Sequence, residues 1–375
     1  MSRKSSPDYS HMRAALALAR RAYGDTSPNP LVGAVLVKGG KVIGQGWHHR
    51  AGLPHAEIEA LRNAAARGKS PAGATLYVTL EPCCTQGRTP PCTKAIKAAR
   101  IKRVVIAATD PNPEHSGKGF DLLKRAGIQV EHGILADEAG RLNEAFNHWI
   151  AHRTPFVIVK AAMTLDGKIA TKKGESKWIT GGKARAYGMR LRQGVDAILV
   201  GVNTVFADDP SLTVRLKSKV QSFRRRVILD SQARTPLKAK VVTDEFHDLT
   251  TVVVSKSAPE RRVKALSRRV NVLIAPDKSG RIDLRWLLER LGKEQVTSLL
   301  VEGGGEVNAA FLLGGLAHRI AFFYAPKILG GRDAPKGVAG DGIKLLAEAI
   351  RLRDVEWRRL GTDLLLTGRV CGSQS

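Results

Sequence analysis

A chain of 375 residues is too long for one ordinary domain and suits two, each able to bury a core of its own. Hydrophobic residues make up 43%, as in a soluble globular protein, and no apolar run approaches the roughly 18 residues that cross a bilayer, so a membrane span is excluded. The 61 Lys and Arg against 34 Asp and Glu leave a net charge of +27, but the basic residues are spread along the chain and only 5% of residues are aromatic. That charge favours phosphate-bearing ligands at least as strongly as nucleic acid, for which base-stacking platforms are scarce, and a basic proteome background would also account for it.

The opening stretch holds a short run, AALALA, which Arg20 interrupts; an amphipathic first helix over His11 to Tyr23 is expected rather than a signal peptide. LVGAVLV reads as a β-branched strand, KGGK as a turn and VIGQGWH as a second strand. PHAEIEALRNAAARG carries apolar residues at helical spacing and ends at Gly68. LYVTLE follows as a strand alternating at Leu76, Val78 and Leu80, then TKAIKAAR as a helix, RVVIAAT as a strand and KGFDLLKRAG as a helix. This alternation predicts a layered α/β domain over residues 1–150.

Around HRTP, residues 152–155, the chain changes register. FVIVKAAM, DAILVG, RRRVILD, TTVVVS, NVLIA, SLLVEGG and RIAFFYAP are runs typical of strands buried on both faces, with helices such as DLRWLLERLG between some of them, so a second α/β domain is expected over 151–375. SLLVEGGGEVNAAFLLGGL reads as strand, glycine turn and helix. Glycines there let backbone N–H groups reach phosphate oxygens at a helix N-terminus; tight strand–helix packing explains them equally, and the GxGxxG spacing is absent.

Four cysteines at scattered spacing make no disulfide framework and suit a reducing, cytoplasmic setting. Three of them fall in EPCCTQGRTPPC, residues 81–92. Cys83 follows Pro82 at the end of a strand and Cys92 follows Pro91 at the start of a helix, where thiolate is favoured over thiol. His55 starts an upstream helix and Glu57 stands two residues on. One imidazole and two thiolates give Zn²⁺ three protein ligands and leave a fourth position for water, whose pKa the metal lowers. A carboxylate beside it can take that proton and pass it to a leaving amine. HAE followed by Pro-Cys and a later Cys resembles the signature of zinc-dependent base deaminases, in which the glutamate shuttles protons without binding metal.

The usual gap between the two cysteines is two residues, whereas eight lie between Cys83 and Cys92. The longer form is similar to the bifunctional riboflavin-biosynthesis deaminase–reductases. In that family Ser-His usually follows the first cysteine; here Cys84 and Thr85 stand there. Cys84 reads as a small loop residue in place of serine rather than as an alternative ligand, and the histidine's substrate contact is not carried over to Thr85. The resemblance implies substrate contacts at Asn29, His48 and Arg88, against the plain readings of a turn asparagine, a surface histidine and a solvated arginine.

The likeness continues through VKAAMTLDGKIA, GESKWIT, LRQGVDAILVGVNTVFADDPSLTVR, VILDSQ and VEGGG, in the order of that family's reductase half, and covers nearly the whole chain. It implies a cytidine-deaminase-like three-layer first domain and a dihydrofolate-reductase-like α/β second domain using NADPH. Nicotinamide-nucleotide contacts are implied at Ala162, Trp178, Thr204, Asp208, Ser231, Gly304 and Gly305, and substrate contacts at Ser176, Arg192, Leu212, Arg215 and Glu302. Arg192 and Arg215 suit a sugar phosphate and Trp178 a flat cofactor face, although a core tryptophan is its ordinary role. Asp208 and Asp209, with Pro210 behind them, suit a turn or cap better than an acid/base pair. Arg224 to Arg226 read by default as solvated arginines, with a basic patch for the 2′-phosphate as the alternative, and the sequence alone does not settle NADPH over NADH.

The expected whole is two active sites acting in turn on one small phosphorylated pyrimidine: zinc-dependent deamination with Glu57 moving protons and His55, Cys83 and Cys92 holding the metal, then NADPH-dependent reduction of ribosyl to ribityl. No membrane or nucleic-acid partner is expected, and a homo-oligomer is compatible with the sequence. Two rivals remain: an RNA or nucleobase deaminase whose basic C-terminal half grips nucleic acid, and a zinc-stapled scaffold without catalysis.

Overall fold

The computed structural model describes residues 6–86, 90–216, 219–221, 224–278 and 280–372. The chain divides into two compact units, Met1–Arg153 and Thr154–Ser375. No helix among the described residues is long and apolar enough to cross a membrane.

The first unit runs α1 (Pro7–Ala19), β1 (Gly33–Lys38), β2 (Lys41–Trp47), α2 (Ala56–Ala66), β3 (Thr75–Leu80), α3 (Cys92–Ala98), β4 (Arg103–Ala108), α4 (Lys118–Arg125), β5 (Gln129–His132), α5 (Ala136–Leu142) and α6 (Glu144–His152). Its sheet has the order β2-β1-β3-β4-β5; β1 is antiparallel to both neighbours, while β3, β4 and β5 are parallel. Period-two alternation feeds two cores. Ala34, Leu36, Leu76, Val78, Val104 and Ile106 meet Ile96, Phe120 and Leu123 on one face. Val35, Val37, Tyr77, Val105 and Ala107 meet Met12, Leu16 and Ala139 on the other. The result is the expected three-layer arrangement. α1 begins four residues before the predicted start because Pro7 occupies its first turn, where the missing N–H costs nothing.

α2 lies unusually close to β2. Ala56, Ala60 and Ala64 are fully buried, and a Cβ on Gly44 or Gly46 would come within 2.4 Å of the Ala60 backbone. Small residues on both sides thus fix the height of the helix, and with it the position of His55 at its N-cap.

The second unit runs β6 (Phe156–Thr164), α7 (Gly182–Gln193), β7 (Ala197–Gly201), α8 (Val202–Asp208), β8 (Val214–Leu216), β9 (Lys219–Gln221), β10 (Arg225–Leu229), α9 (Lys240–Thr243), β11 (Thr250–Ser255), α10 (Glu260–Ser267), β12 (Asn271–Ala275), β13 (Asp277–Lys278), β14 (Arg281–Ile282), α11 (Leu284–Lys293), β15 (Ser298–Val301), α12 (Gly305–Leu313), β16 (Arg319–Ala325), β17 (Leu352–Leu360) and β18 (Asp363–Val370). Nine strands form one sheet in the order β12-β11-β10-β7-β15-β6-β16-β18-β17. The first seven are parallel and the last two antiparallel. β7 and β15 are buried along their whole length, as their unbroken apolar runs predict. Residues such as Leu287, Leu291 and Phe311 cover one face, and Val205, Val241 and Leu266 the other.

The closing hairpin was not predicted. Most of β17 is solvent-exposed and its sequence, LRDVEWRRL, is dominated by charge, so it shows no apolar run and serves as a charged edge strand. What matters for function is the carboxyl edge of the parallel strands, outside which open α/β sheets bind their ligands. β15 inserts there between β7 and β6, and the segments following β7, β10 and β15 begin at that edge.

Candidate functional site

At the first unit's site, β3 ends at Leu80, α3 begins with Cys92 and the N-cap of α2 is His55. The His55 imidazole makes no capping bond; its Nδ1 lies 3.5 Å from Cys83 Sγ and 3.3 Å from Cys92 Sγ. The three donor atoms all fall within 4.8 Å of one another, and among the described residues no other His/Cys/Asp/Glu group meets that standard. Tetrahedral Zn²⁺, with bonds of about 2.3 Å to sulfur and about 2.0 Å to nitrogen, needs donors about 3.6 Å apart, so these residues fit the ion. Cys84 stands outside the cluster, half-buried.

The helix start acts differently from the sequence expectation. The Cys92 backbone N–H donates to Cys83 Sγ at 3.3 Å, and the Thr93 N–H and hydroxyl both donate to the Cys83 carbonyl. The α3 terminus therefore steadies Cys83 more than Cys92. A Cys92 S–H bond lowers the Cys83 thiol, to about 4, and the same bond together with burial raises Cys92, so the proton rests on Cys92. A cation among the three donors displaces that proton.

Glu57 is 3% exposed, and burial, followed by the nearby Cys83 charge, pushes its carboxyl up to about 7. Asn29 Nδ2 and His48 Nε2 are 3.0 Å apart, and His48 Nδ1 lies 3.1 Å from the Pro54 carbonyl. These partners fix the tautomer: Nδ1–H donates to Pro54 and Nε2 accepts from the Asn29 amide. The surface-histidine reading of His48 is overturned, since it is 2% exposed, packs edge-on against His55 at 5.2 Å and has its pKa lowered by burial. Asn29 also sits in a turn, its N–H donating to the Thr26 carbonyl. Arg88 lies outside the described residues.

Sequence reading missed the frame behind the metal loop. The Glu81 carboxylate accepts the backbone N–H groups of Asp110, Gly117 and Gly119 at 3.1, 3.1 and 2.9 Å, tying the segment before Cys83 to the loop after β4. In that loop His115 Nε2 lies 2.8 Å from Thr85 Oγ1 and His115 Nδ1 is 3.6 Å from Asp110 Oδ2. The only sequence signal was the polar run DPNPEHSGKG, which reads as a turn.

In the second unit, the carboxyl edge gathers Ala162 near the end of β6, Thr204 in the first turn of α8, Ser231 just past β10, and Glu302, Gly304 and Gly305 past β15. Gly304 is the N-cap of α12 and has no side-chain cap; a Cβ built on it meets nothing within 4 Å. Gly303 and Gly305 are close-packed instead, against Val307 and the Lys336 carbonyl. Tight packing thus accounts for Gly303 and Gly305, while the uncapped α12 start at Gly304 leaves backbone N–H groups open to an anion.

Ser176 donates to Asp208 Oδ1 at 2.9 Å, while Asp209 accepts the Lys240 N–H, so the two aspartates point to different partners and form no acid/base pair. Trp178 is 64% exposed, with the Arg185 guanidinium 4.6 Å from its ring centroid: a surface plate, not a core residue. Arg192 Nε and Nη2 donate to both oxygens of Glu302 at 2.8 Å, and Nη1 to the Thr213 carbonyl at 3.1 Å. Lys160 Nζ stands 3.8 Å from Glu302 as well. Leu212 is buried with φ of 50°, next to that carbonyl, and Arg215 is exposed, donating to Ser211 Oγ. Asp166 secures the turn after β6, accepting from the Thr164 hydroxyl and from the Leu329 and Gly330 N–H groups, and the Thr164 bond leads in holding its carboxyl at about 2.

Arg224 to Arg226 fit neither the solvated reading nor the basic patch, because each is turned to a protein partner. Arg226 is fully buried and donates to both Asp244 oxygens, at 2.6 and 2.8 Å, and to two carbonyls. Arg225 pairs with Glu294, and Arg224 donates to the Gln193 carbonyl at 2.6 Å. Arg225 and Arg226 also open β10, at the end of the strand remote from the carboxyl edge.

Residues 5–108 match the cytidine and deoxycytidylate deaminase zinc-binding region, and residues 155–366 the RibD C-terminal domain. The chain is 45% identical to the riboflavin biosynthesis protein RibD of Aquifex aeolicus, over 96% of this chain and 97% of that one. It is 42% identical to the RibD of Actinobacillus pleuropneumoniae, over 97% and 95%. Among solved structures, Acinetobacter baumannii RibD is 38% identical with a TM-score of 0.85, covering 97% of this chain and 99% of that one. A diaminohydroxyphosphoribosylaminopyrimidine deaminase/5-amino-6-(5-phosphoribosylamino)uracil reductase from Thermotoga maritima is 37% identical with a TM-score of 0.82, over 97% and 99%.

Proposed function

Because this chain belongs to the RibD family of bifunctional riboflavin-biosynthesis enzymes, we propose that its two units are two active sites working in turn on one phosphorylated pyrimidine. The first hydrolytically deaminates 2,5-diamino-6-(5-phosphoribosylamino)pyrimidin-4(3H)-one. The second reduces the ribosyl group of the product to ribityl phosphate with NADPH. The observation that carries this reading is the convergence of His55, Cys83 and Cys92, with a buried carboxyl, Glu57, two residues from one of the three.

His55, Cys83 and Cys92 would hold zinc, which would supply the Lewis acidity that makes a water nucleophilic. Glu57 exchanges protons near neutrality, as its raised pKa allows, accepting one from the nucleophilic water and returning it to the departing ammonia. Asn29 and His48, locked to each other, present fixed polar edges to the pyrimidine and order it against the metal. A scaffold site needs no buried acid and closes with a fourth protein ligand, which the cluster lacks among the described residues.

In the second unit NADPH supplies hydride when bound. Ala162, Trp178, Thr204, Asp208, Ser231, Gly304 and Gly305 are the residues that would hold it, the uncapped N–H groups at the α12 start suiting an anionic group. Ser176, Arg192, Leu212, Arg215 and Glu302 receive the substrate. Arg192 and Glu302 act as one rigid pair, and exposed Arg215 is the guanidinium that meets the sugar phosphate. Incubation with the diamino pyrimidine should release ammonia with or without NADPH, and oxidise NADPH only after deamination. Absence of ammonia would end the deaminase assignment; ammonia without NADPH oxidation would end the reductase one.

A further inference from the structure

Asn29 belongs to no helix or strand; the β1 ladders begin only at Gly33 and Ala34. The segment leading from it into β1 is held group by group. The Asn29 N–H donates to the Thr26 carbonyl, the Val32 carbonyl accepts from the His48 N–H at 2.9 Å, and the Gly33 N–H donates to Thr79 Oγ1 at 3.1 Å. Leu31, buried and still short of the ladders, is met at both of its backbone groups by one side chain 112 positions away. Its N–H donates to Asn143 Oδ1 at 2.8 Å, and Asn143 Nδ2 donates to its carbonyl at 3.0 Å. A carboxamide carries the donor and acceptor of a peptide group, so Asn143 exchanges two bonds with Leu31 as a residue of a neighbouring strand would.

Asn143 is buried between α5 and α6. It stands at the N-cap of α6, where asparagine is a favoured capping residue, yet its side chain makes no capping bond and is turned to Leu31 instead. Leu142 beside it packs on the cluster of Ala19, Ala22 and Leu31, so the α5–α6 junction holds Leu31 by side chain and backbone together. Only Pro30 separates Leu31 from Asn29, and its ring fixes φ, which passes the position of Leu31 on to Asn29 with little slack. Asn29 is half-buried, so packing does little to aim its amide at His48 Nε2 and the metal site; His48 has a further hold at the Pro54 carbonyl.

We propose that Asn143 is a positioning residue of the deaminase, clamping the Leu31 backbone so that Asn29 is aimed at the pyrimidine. This rests on the deaminase reading above. The competing role is general support of the fold, and a double-mutant cycle separates the two. Full-length zinc enzyme is compared as wild type, Asn143→Ala, Asn143→Ser, Asn29→Ala and the double variant Asn29→Ala with Asn143→Ala. Ammonia release from the diamino pyrimidine, zinc content, and NADPH oxidation with the ready-deaminated substrate are measured for each.

Asn143→Ala should lower deaminase kcat/KM by about tenfold to a hundredfold, the range of an ångström-scale misplacement, while zinc content holds and reduction stays within about twofold of wild type. Asn29→Ala should cost at least as much. The double variant should then fall within about threefold of Asn29→Ala alone, because the clamp has nothing to aim once that amide is gone. Asn143→Ser should lose deaminase activity in the same way, and it decides the matter where the alanine variant does not fold. Penalties that multiply in the double variant, undiminished deamination by the folded Asn143 variants, or zinc loss in both of them would each make Asn143 ordinary support and overturn the proposal. Undiminished deamination by Asn29→Ala would overturn it too, by removing the side chain that the clamp is there to aim. Wild-type enzyme that releases no ammonia would instead remove the deaminase reading, before any variant is compared.

Discussion

Neutralising Glu302 should loosen the reductase sheet at its centre. Its carboxylate follows β15, is 9% exposed at the side chain, and accepts both Arg192 N–H groups at 2.8 Å with Lys160 at 3.8 Å. Burial alone would raise its pKa; the charges of Arg192 and Lys160 outweigh burial and bring it from an ordinary 4.5 down to about 2. That gap corresponds to about 3 kcal/mol. A lowered carboxylate pKa means the stabilisation is complete above about 4.5 and drains away as pH falls towards 2. Glu302→Gln keeps the shape but leaves the Arg192 cation facing a neutral amide in a buried setting, at a cost of about 3–5 kcal/mol near neutrality. Urea unfolding at pH 7, with hydrogen exchange read on α7 and β15 peptides, measures it. The gap between wild type and variant should close as pH drops through the interval from 4.5 to 2. A variant within about 1 kcal/mol of wild type at pH 7, or a gap independent of acid, would refute the argument that the Glu302 charge compensates the buried Arg192 cation.

Glu57→Gln should lower deaminase kcat by a factor of about 10² to 10⁴, the usual worth of a positioned general acid–base, while zinc content and reduction of the ready-deaminated substrate stay at wild-type levels. For the metal, Cys83→Ser and Cys92→Ser should each cost the bound zinc, measured by plasma emission, whereas Cys84→Ser should retain one equivalent; zinc loss in the last would bring Cys84 into the ligand set. Arg224→Ala should leave the ratio of NADPH to NADH utilisation within about twofold of wild type, because its side chain is turned to the Gln193 carbonyl. Arg226→Leu should destabilise the second unit by about 3–5 kcal/mol through the unpaired Asp244, read by thermal or urea unfolding.

These outcomes divide along the line between what neighbouring residues say and what distant ones supply. The metal site was legible because its donors lie at helix and strand ends that the sequence marks with Pro82, Pro91 and the apolar spacing of α2, and because only thiolates and an imidazole make chemical sense there. Strands such as β7, β11 and β15 were legible for a related reason: burial on both faces leaves an unbroken apolar run. The charged side chains were not. Arg226 and Arg224 look alike in a stretch of three arginines, yet one is sealed against Asp244, eighteen positions away, and the other reaches the carbonyl of Gln193. Glu81, Asp110, His115 and Thr85 form one framework from two loops that only the parallel pairing of β3 and β4 brings together. A sequence pattern announces which atoms can do chemistry, whereas the partner that fixes a charge or aims an imidazole is chosen by the sheet. The reductase half accordingly stays open to reading only through its family, and the deaminase half can be argued from its own residues.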